Sequence, residues 1–159
     1  MKPASAASAL RVQEILGPAY AVVEFEESTG TSAEAAAAVG CTLAQIAKSL
    51  VFRATSGKSV LVVASGANRV DEKKVAQIIG EKIGRADADF VREMTGYAIG
   101  GVAPIGHRTA PLVLLDSGLK ALPEIWAAAG TPNAVFKLTP AQLHSLTGGE
   151  YVDIAKRPG

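Results

Sequence analysis

The chain has 159 residues, 48% of them hydrophobic and 19% charged, with 16 Lys and Arg against 15 Asp and Glu for a formal net charge of +1. That is the length of one domain with enough apolar material for a core, and it excludes a disordered chain and tight, purely electrostatic binding of nucleic acid. One Cys and two His exclude a disulfide scaffold and a Cys-rich zinc site. The longest stretch free of Asp, Glu, Lys and Arg runs from Met94 to His107, holds four Gly and a Pro, and falls short of the about 20 apolar residues of a membrane span.

In chain order, the pattern predicts a helix from about Ser5 to Leu16, ended by Gly17-Pro18. Arg11 and Glu14 interrupt the apolar run, so this segment reads as an amphipathic helix and not a signal peptide. The expected location is the cytoplasm, and a lone thiol fits a reducing compartment. Tyr20 to Glu26 is β-rich and predicts a strand. Thr31-x-x-Glu34 is a capping box for a short Ala-rich helix stopping at Gly40, and Thr42-x-x-Gln45 opens one or two further turns before Lys48. SLVFRAT and SVLVVAS, separated by Ser56-Gly57-Lys58, predict a hairpin. Asp71 to Ile79 predicts a helix closed by Gly80, and Asp87 caps another through Met94, closed by Gly96.

A Gly-rich stretch, GYAIGGVAPIGH, follows from Gly96 to His107. PLVLLD predicts a buried strand. EIWAAA and NAVFKL flank Gly130-Thr131-Pro132 as a second hairpin. Thr139-Pro140 places an N-cap before Pro at the first helical position, and EYVDIA makes a last short strand. With no repeat, linker or composition break, residues 1–159 read as a single α/β or α+β domain with a mostly antiparallel or mixed sheet.

His107 and His144 are far apart in the sequence, with no metal-ligand spacing between them, so no metal or other cofactor is expected. There is no Gly-x-Ser-x-Gly elbow. Gly101 to Gly106 has the gap of a phosphate-binding loop, but His107-Arg108 stands where Lys and Ser or Thr are required. Cys41 directly follows Gly40 in Ala-rich surroundings and reads as a structural thiol, and His144 reads as a structural residue on a helix. Two features remain. Lys48, in QIAKSLVF, sits among apolar neighbours, either snorkelling past them or presenting its charge to a ligand. GGVAPIGH is either a tight connection or a loop that brings backbone N–H groups close to a ligand.

Taken together, Lys48-Ser49-Leu50 and TGYAIGGVAPIGH resemble the YbaK family, the free-standing relatives of the editing domain inserted in bacterial prolyl-tRNA synthetases. VVEFEES, AAAAVGCTLAQIAKSLVF, VLVVASGANRVDEKKVAQIIG, AAAGTPNAVFKLTPAQL and YVDIA extend the resemblance over nearly the whole chain. It implies a mixed, partly closed β-barrel with surrounding helices. The implied activity is hydrolysis of the ester between a wrong amino acid and its tRNA, with the tRNA 3′ end as partner and a synthetase as a possible carrier. It implies catalytic roles for Lys48 and for the backbone N–H groups of a loop starting at Gly100 or Gly101. It implies substrate-binding positions at Phe25, Ser49, Val102, Pro104, Gly106, His107, Ala129 and Gly130. Cysteine-clearing relatives carry a Ser just before a Gly-Gly where this chain has Ala127-Ala128-Ala129-Gly130, so the resemblance points to Ser, Thr or Ala esters. The contrasting expectation is a nucleic-acid-binding module without catalysis, carried by Arg69, Lys73, Lys74, Lys82 and Arg85, which Asp71, Glu72 and Glu81 dilute. A third is an amino-acid-ester hydrolase that needs no tRNA.

Overall fold

The structure, a computed structural model, describes residues 1–26 and 31–157. Glu27 and Ser28, which end the VVEFEES motif, lie outside the described residues. The elements in chain order are β1 (Lys2–Pro3), α1 (Ala7–Leu16), β2 (Val22–Glu24), α2 (Ser32–Val39), a 3-10 turn (Leu43–Gln45), β3 (Ile46–Ala54), β4 (Ser59–Ser65), α3 (Glu72–Ile79), β5 (Ile83–Arg85), α4 (Ala88–Thr95), β6 (Leu112–Asp116), a 3-10 turn (Ser117–Leu119), β7 (Ile125–Ala128), β8 (Ala134–Leu138), α5 (Pro140–Thr147) and β9 (Glu150–Val152).

The described strands form one mixed sheet in the order β1-β2-β8-β7-β3-β4-β6-β9, with β5 paired to β3 off this path. It is the expected mixed α/β architecture, but the ladder ends at β1 and β9 and does not close into a barrel. Both predicted hairpins form: β3 with β4, and β7 with β8, each antiparallel. Three pairings are parallel: β3 with β7, β4 with β6 and β6 with β9. Each joins strands distant in sequence, and no turn signal announces them.

β4 is the axis of the molecule. All seven of its residues are buried, as a strand covered on both faces requires. Its side chains alternate between two cores. Leu61 and Val63 enter the larger one with Val12, Tyr97, Val102, Ala103 and Leu143, while Val60, Val62 and Ala64 enter the smaller one with Val75 and Ile154. Local chemistry sets the helix ends. Thr31 accepts from the Glu34 N–H, Asp71 from Lys73 and Lys74, Asp87 from Phe90, and Thr139 from Gln142. α2, α3, α4 and α5 each end on a glycine in the left-handed region.

α1 is the exception. Its N-cap position is Ala6, which has no side-chain acceptor. Glu24 supplies one from β2: its carboxylate accepts from the Ser5 N–H at 2.7 Å, the Ala6 N–H at 3.1 Å and Ser5 Oγ at 2.8 Å, and the residue is only 4% exposed. These bonds, led by the Ser5 and Ala6 N–H groups, hold the carboxyl below its ordinary pKa despite burial. A carboxylate with a lowered folded pKa stabilises the fold above its unfolded pKa, and that contribution disappears as pH falls through the folded value. Glu24→Gln is therefore expected to cost about 1–2 kcal/mol near neutral pH, with the gap to the parent protein closing in acid. Denaturant melts of both proteins between pH 7 and pH 3 check this.

Candidate functional site

The site begins with an incomplete ladder. β3 is matched along its length by β4, from Ala47↔Ser65 to Arg53↔Ser59. On its other edge, β7 matches only Ile46 and Ala47, and β5 only Phe52 to Ala54. Among the described residues, no strand stands opposite residues 48–51 on that edge. The Gly66 N–H donates to Ile46 O, and the Ala54 N–H donates to Lys58 O. Main-chain groups alternate along an antiparallel ladder, so even-numbered residues of β3 direct theirs to β4 and Ser49 directs its N–H and C=O into the gap.

A cavity of about 560 Å³ occupies that gap. Lys48 and Ser49 line it from β3, Arg85 and Ala86 from the end of β5, Trp126 to Ala128 from β7, and Ile99, Gly100 and Val102 from the Gly-rich stretch. The side chains of Lys48 and Ser49 leave β3 on opposite faces, so the cavity reaches both sides of the sheet at this edge. The Ser49 hydroxyl oxygen is itself buried, with no hydrogen-bond partner.

Lys48 lies in the third position of β3, a strand that begins earlier than the sequence pattern predicts. Its Nζ donates to the Asn68 carbonyl at 2.7 Å. Burial lowers its pKa from the usual lysine value, the negative charge of Asp116 opposes that shift, and the positive charge of Arg69 adds to it. Asn68 is in turn tied to Asp116, which accepts from Asn68 Nδ2 at 3.0 Å, the Ser65 N–H at 3.0 Å and the Gly118 N–H at 2.9 Å. Sequence reasoning did not single out Asn68 or Asp116. A charged residue closing an otherwise apolar strand, PLVLLD, was the available signal.

The Gly-rich stretch is fixed from its core side. Tyr97 Oη donates to Ile105 O at 2.8 Å, and Arg11 donates to Gly106 O at 2.9 Å while stacking over the Tyr97 ring. His107 Nε2 lies 2.7 Å from Ala103 O. A carbonyl only accepts, so Nε2 carries the proton and the buried Nδ1 is left without a partner. Burial, first, holds the His107 pKa below the usual histidine value, and the Arg11 charge adds to this. The ring is neutral and bonds the loop it belongs to.

The remaining expected positions divide by location. Gly100 and Val102 line the cavity. Gly101 does not: its N–H closes a turn onto Ala98 O at 3.1 Å, and its Cα packs against the Thr131 backbone. Gly106 and His107 lie on the side of the loop that faces α1 and Tyr97, Pro104 is buried, and none of the three belongs to the described cavity lining. Ala129 is fully buried and donates its N–H to Ala134 O. Gly130 packs on Ser8 of α1, where a Cβ would meet the Ser8 carbonyl at 2.8 Å. Phe25 is held at the end of β2 by Asn133, through N–H to carbonyl and amide to carbonyl bonds of 2.9 Å each. Thr131 and Pro132 reach the cavity from the same turn. Of the basic cluster, Lys74 bonds Asp153 and Ala155 O, whereas Arg85 stands at the cavity. Among the described residues, no three His, Cys, Asp or Glu side chains gather as a metal would need.

Comparison with known proteins gives this arrangement a context. The sequence profile of the aminoacyl-tRNA editing domain family matches residues 26–146. The chain is 38% identical over 136 residues to the uncharacterized protein YwhH of Bacillus subtilis, covering 85% of this chain and 87% of that one. It is 29% identical over 153 residues to EbsC of Enterococcus faecalis, described as a candidate Cys-tRNA(Pro)/Cys-tRNA(Cys) deacylase, covering 94% and 93%. A solved structure described as a candidate trans-editing enzyme for prolyl tRNA synthetase superposes with a TM-score of 0.92 at 44% identity, covering 97% of this chain and all of that one.

The adjacent glycines are needed for different reasons. A Cβ on Gly101 would lie 2.8 Å from Thr131 Cα, a backbone contact that cannot give way cheaply. Gly100 has space, its nearest neighbour being Pro132 Cγ at 3.8 Å, but its φ of +92° disfavours a side chain. Gly101→Ala is expected to cost about 1–3 kcal/mol by overpacking. Gly100→Ala is expected to cost about 1–2 kcal/mol by backbone strain alone. Denaturant melts check both. A protein design that pairs Gly101→Ala with a smaller residue at 131 should not recover stability, because the contact is with the Thr131 backbone.

Proposed function

The chain belongs to the aminoacyl-tRNA editing domain family, and from that premise we propose that it deacylates mischarged tRNA carrying a small amino acid, Ser, Thr or Ala in preference to Cys. The observation that carries this reading is the meeting of Lys48, Gly100 and Val102 around one cavity at the gap in β3. A cation and unshielded backbone at the same opening suit a polyanion whose reactive end is an ester.

The reaction needs one water. Its oxygen adds to the ester carbonyl and a proton leaves it. The tetrahedral intermediate collapses with loss of the terminal ribose oxygen, which takes a proton. The products are a free amino acid and a tRNA with a free terminal hydroxyl. Negative charge develops on the former carbonyl oxygen, and donors fixed beforehand stabilise it without reorganisation. Backbone N–H groups of Gly100 and Val102 are suited to this task, because the loop carrying them is held from behind by Tyr97, Arg11 and His107. Lys48 is suited to binding the tRNA 3′-terminal phosphate and so placing the ester. An aminoacyl ester is already activated, so positioning and oxyanion stabilisation suffice without a nucleophilic side chain. The two histidines lie in loop and helix roles, and the described carboxylates do not cluster, which supports hydrolysis without a protein-held metal.

The preference for Ser, Thr or Ala over Cys rests on Ala127-Ala128-Ala129-Gly130 standing where cysteine-clearing relatives carry a Ser before a Gly-Gly. Ala35, Ala47, Ala86, Ala127, Ala128 and Ala134 border the cavity, with Ser49 Oγ as an uncommitted polar atom. The volume also has to admit the terminal nucleoside. Near-neutral charge implies weak, salt-sensitive binding of tRNA, aided by a synthetase or another carrier.

A deacylation panel of Ala-, Ser-, Thr- and Cys-charged tRNAs against the purified protein tests the reading, with simple amino-acid esters as the control for tRNA dependence. Lys48→Ala is expected to slow deacylation at least about tenfold, and Lys48→Arg not to restore it, since a planar fork replaces a point charge. An Ala variant at the parent rate refutes the role of Lys48. Ser49→Ala is expected to slow removal of Ser and Thr by about tenfold while sparing Ala, as expected when one hydrogen bond to substrate is lost. Activity is expected to survive EDTA, and loss restored by zinc would overturn metal independence.

A further inference from the structure

We propose that Asp116 is a positioning residue of the site, acting through Asn68 to hold the Lys48 ammonium at the cavity. The proposal rests on the reading of Lys48 given above and goes beyond it, because neither Asp116 nor Asn68 lines the cavity.

The chain of contacts is short and directional. Asp116 is the last residue of β6 and is 1% exposed. A buried carboxylate is costly unless its oxygens are satisfied. Oδ1 accepts from the Gly118 N–H, and Oδ2 accepts from both the Ser65 N–H and Asn68 Nδ2. Two of these bonds brace the end of β4 and the 3-10 turn that follows β6. The third does not brace an element. It fixes the side chain of Asn68, which lies three residues past β4, and thereby the loop whose carbonyl receives Lys48 Nζ. The Asn68 N–H is also taken, by Ser65 O at 2.9 Å, so the acceptor is anchored at both its side chain and its main chain.

Gly118 gives independent support. A Cβ there would stand 2.6 Å from Asn68 Nδ2 and 3.2 Å from Asp116 Oδ1. The glycine leaves room for the amide to reach the carboxylate, and the need is spatial, since its φ lies outside the left-handed region. Electrostatics runs the same way. Lys48 faces the opposing charge of Asp116 and the like charge of Arg69, with Glu72 and Arg85 also bordering the cavity. Burial favours the neutral amine, and the Asp116 carboxylate favours the ammonium that a phosphate requires.

The test is a double-mutant cycle with a pH profile. Asn68→Ala keeps the carbonyl that accepts from Lys48, and its main-chain anchor, and removes only the side-chain tether. It is expected to lower kcat/KM about tenfold, since ångström-scale misplacement of a site group costs up to ~100-fold. Lys48→Ala combined with Asn68→Ala is expected to be no slower than Lys48→Ala alone, because both changes remove one function. Asp116→Asn removes the charge. The alkaline limb of kcat/KM, where Lys48 loses its proton, is expected to move to lower pH, and the 15N titration of Lys48 Nζ is expected to move with it. A purely architectural Asp116 would change the amplitude and leave the limb where it is. If Asp116→Asn does not fold, Gly118→Ala displaces the amide with the carboxylate retained, and it is expected to reproduce Asn68→Ala. Additive losses in the cycle, an unmoved limb in folded Asp116→Asn, or parent rates for Asn68→Ala and Gly118→Ala while Lys48→Ala is impaired, would each overturn this proposal alone. A Lys48→Ala variant at the parent rate would instead overturn the reading of Lys48, and this proposal with it.

Discussion

Everything at the site follows from the partial pairing of β3. A strand matched on both edges presents no main-chain groups, and a strand unmatched on one edge invites another chain to add to it. β3 takes an intermediate course. Its ends are covered by β7 and β5, and its middle is left open. The gap spans residues 48–51, between the two short ladders, and the cavity lies against it. The opposite edge is matched by β4, itself buried along its whole length, so the gap is backed by the most deeply buried of the described strands.

Two buried carboxylates handle the places where secondary structure alone leaves N–H groups unsatisfied. Glu24 serves the start of α1, whose own cap position holds Ala6. Asp116 serves the end of β4 and the turn after β6. Both lie at strand ends, both are nearly inaccessible, and both accept three donors within the protein. Their difference is in what the third donor does. Ser5 Oγ belongs to the same helix start that Glu24 already caps. Asn68 Nδ2 carries the effect of Asp116 toward Lys48.

The sequence displayed whatever is decided within a few residues. Thr31, Asp71, Asp87 and Thr139 cap as their spacing indicates, Gly40, Gly80, Gly96 and Gly148 end helices, and both hairpins turn where glycine permits. What depends on distant pairing was hidden. β5 is three residues of Ile-Gly-Arg with no alternation to mark it, and the parallel partners of β3, β4 and β6 are separated from them by intervening elements. Lys48 stood out because a charge among apolar residues is visible in one dimension. Asn68 and Asp116 each look ordinary in their own segments, and only the fold brings them together. GGVAPIGH was legible as a loop, yet the distinction between Gly100, which borders the cavity, and Gly101, which packs on Thr131, required coordinates.

The loop also explains why a conspicuous histidine beside a catalytic candidate need not be an acid or a base. A general base must offer a free lone pair where the proton is removed. His107 turns its protonated Nε2 to Ala103 O, and its other nitrogen is buried at the core face, T-shaped against Tyr97. With Tyr97 on Ile105 O and Arg11 on Gly106 O, three side chains occupy three carbonyls of one short loop, all from the side away from the cavity. A peptide unit directs its N–H opposite to its C=O. Of the three peptide units held here, the one after Ala103 carries Pro104 and no N–H, and the other two direct the N–H groups of Gly106 and His107, so these side chains fix the path of the loop beyond Val102. The cost of burying an imidazole nitrogen without a partner is the price of a loop that is already set before substrate arrives.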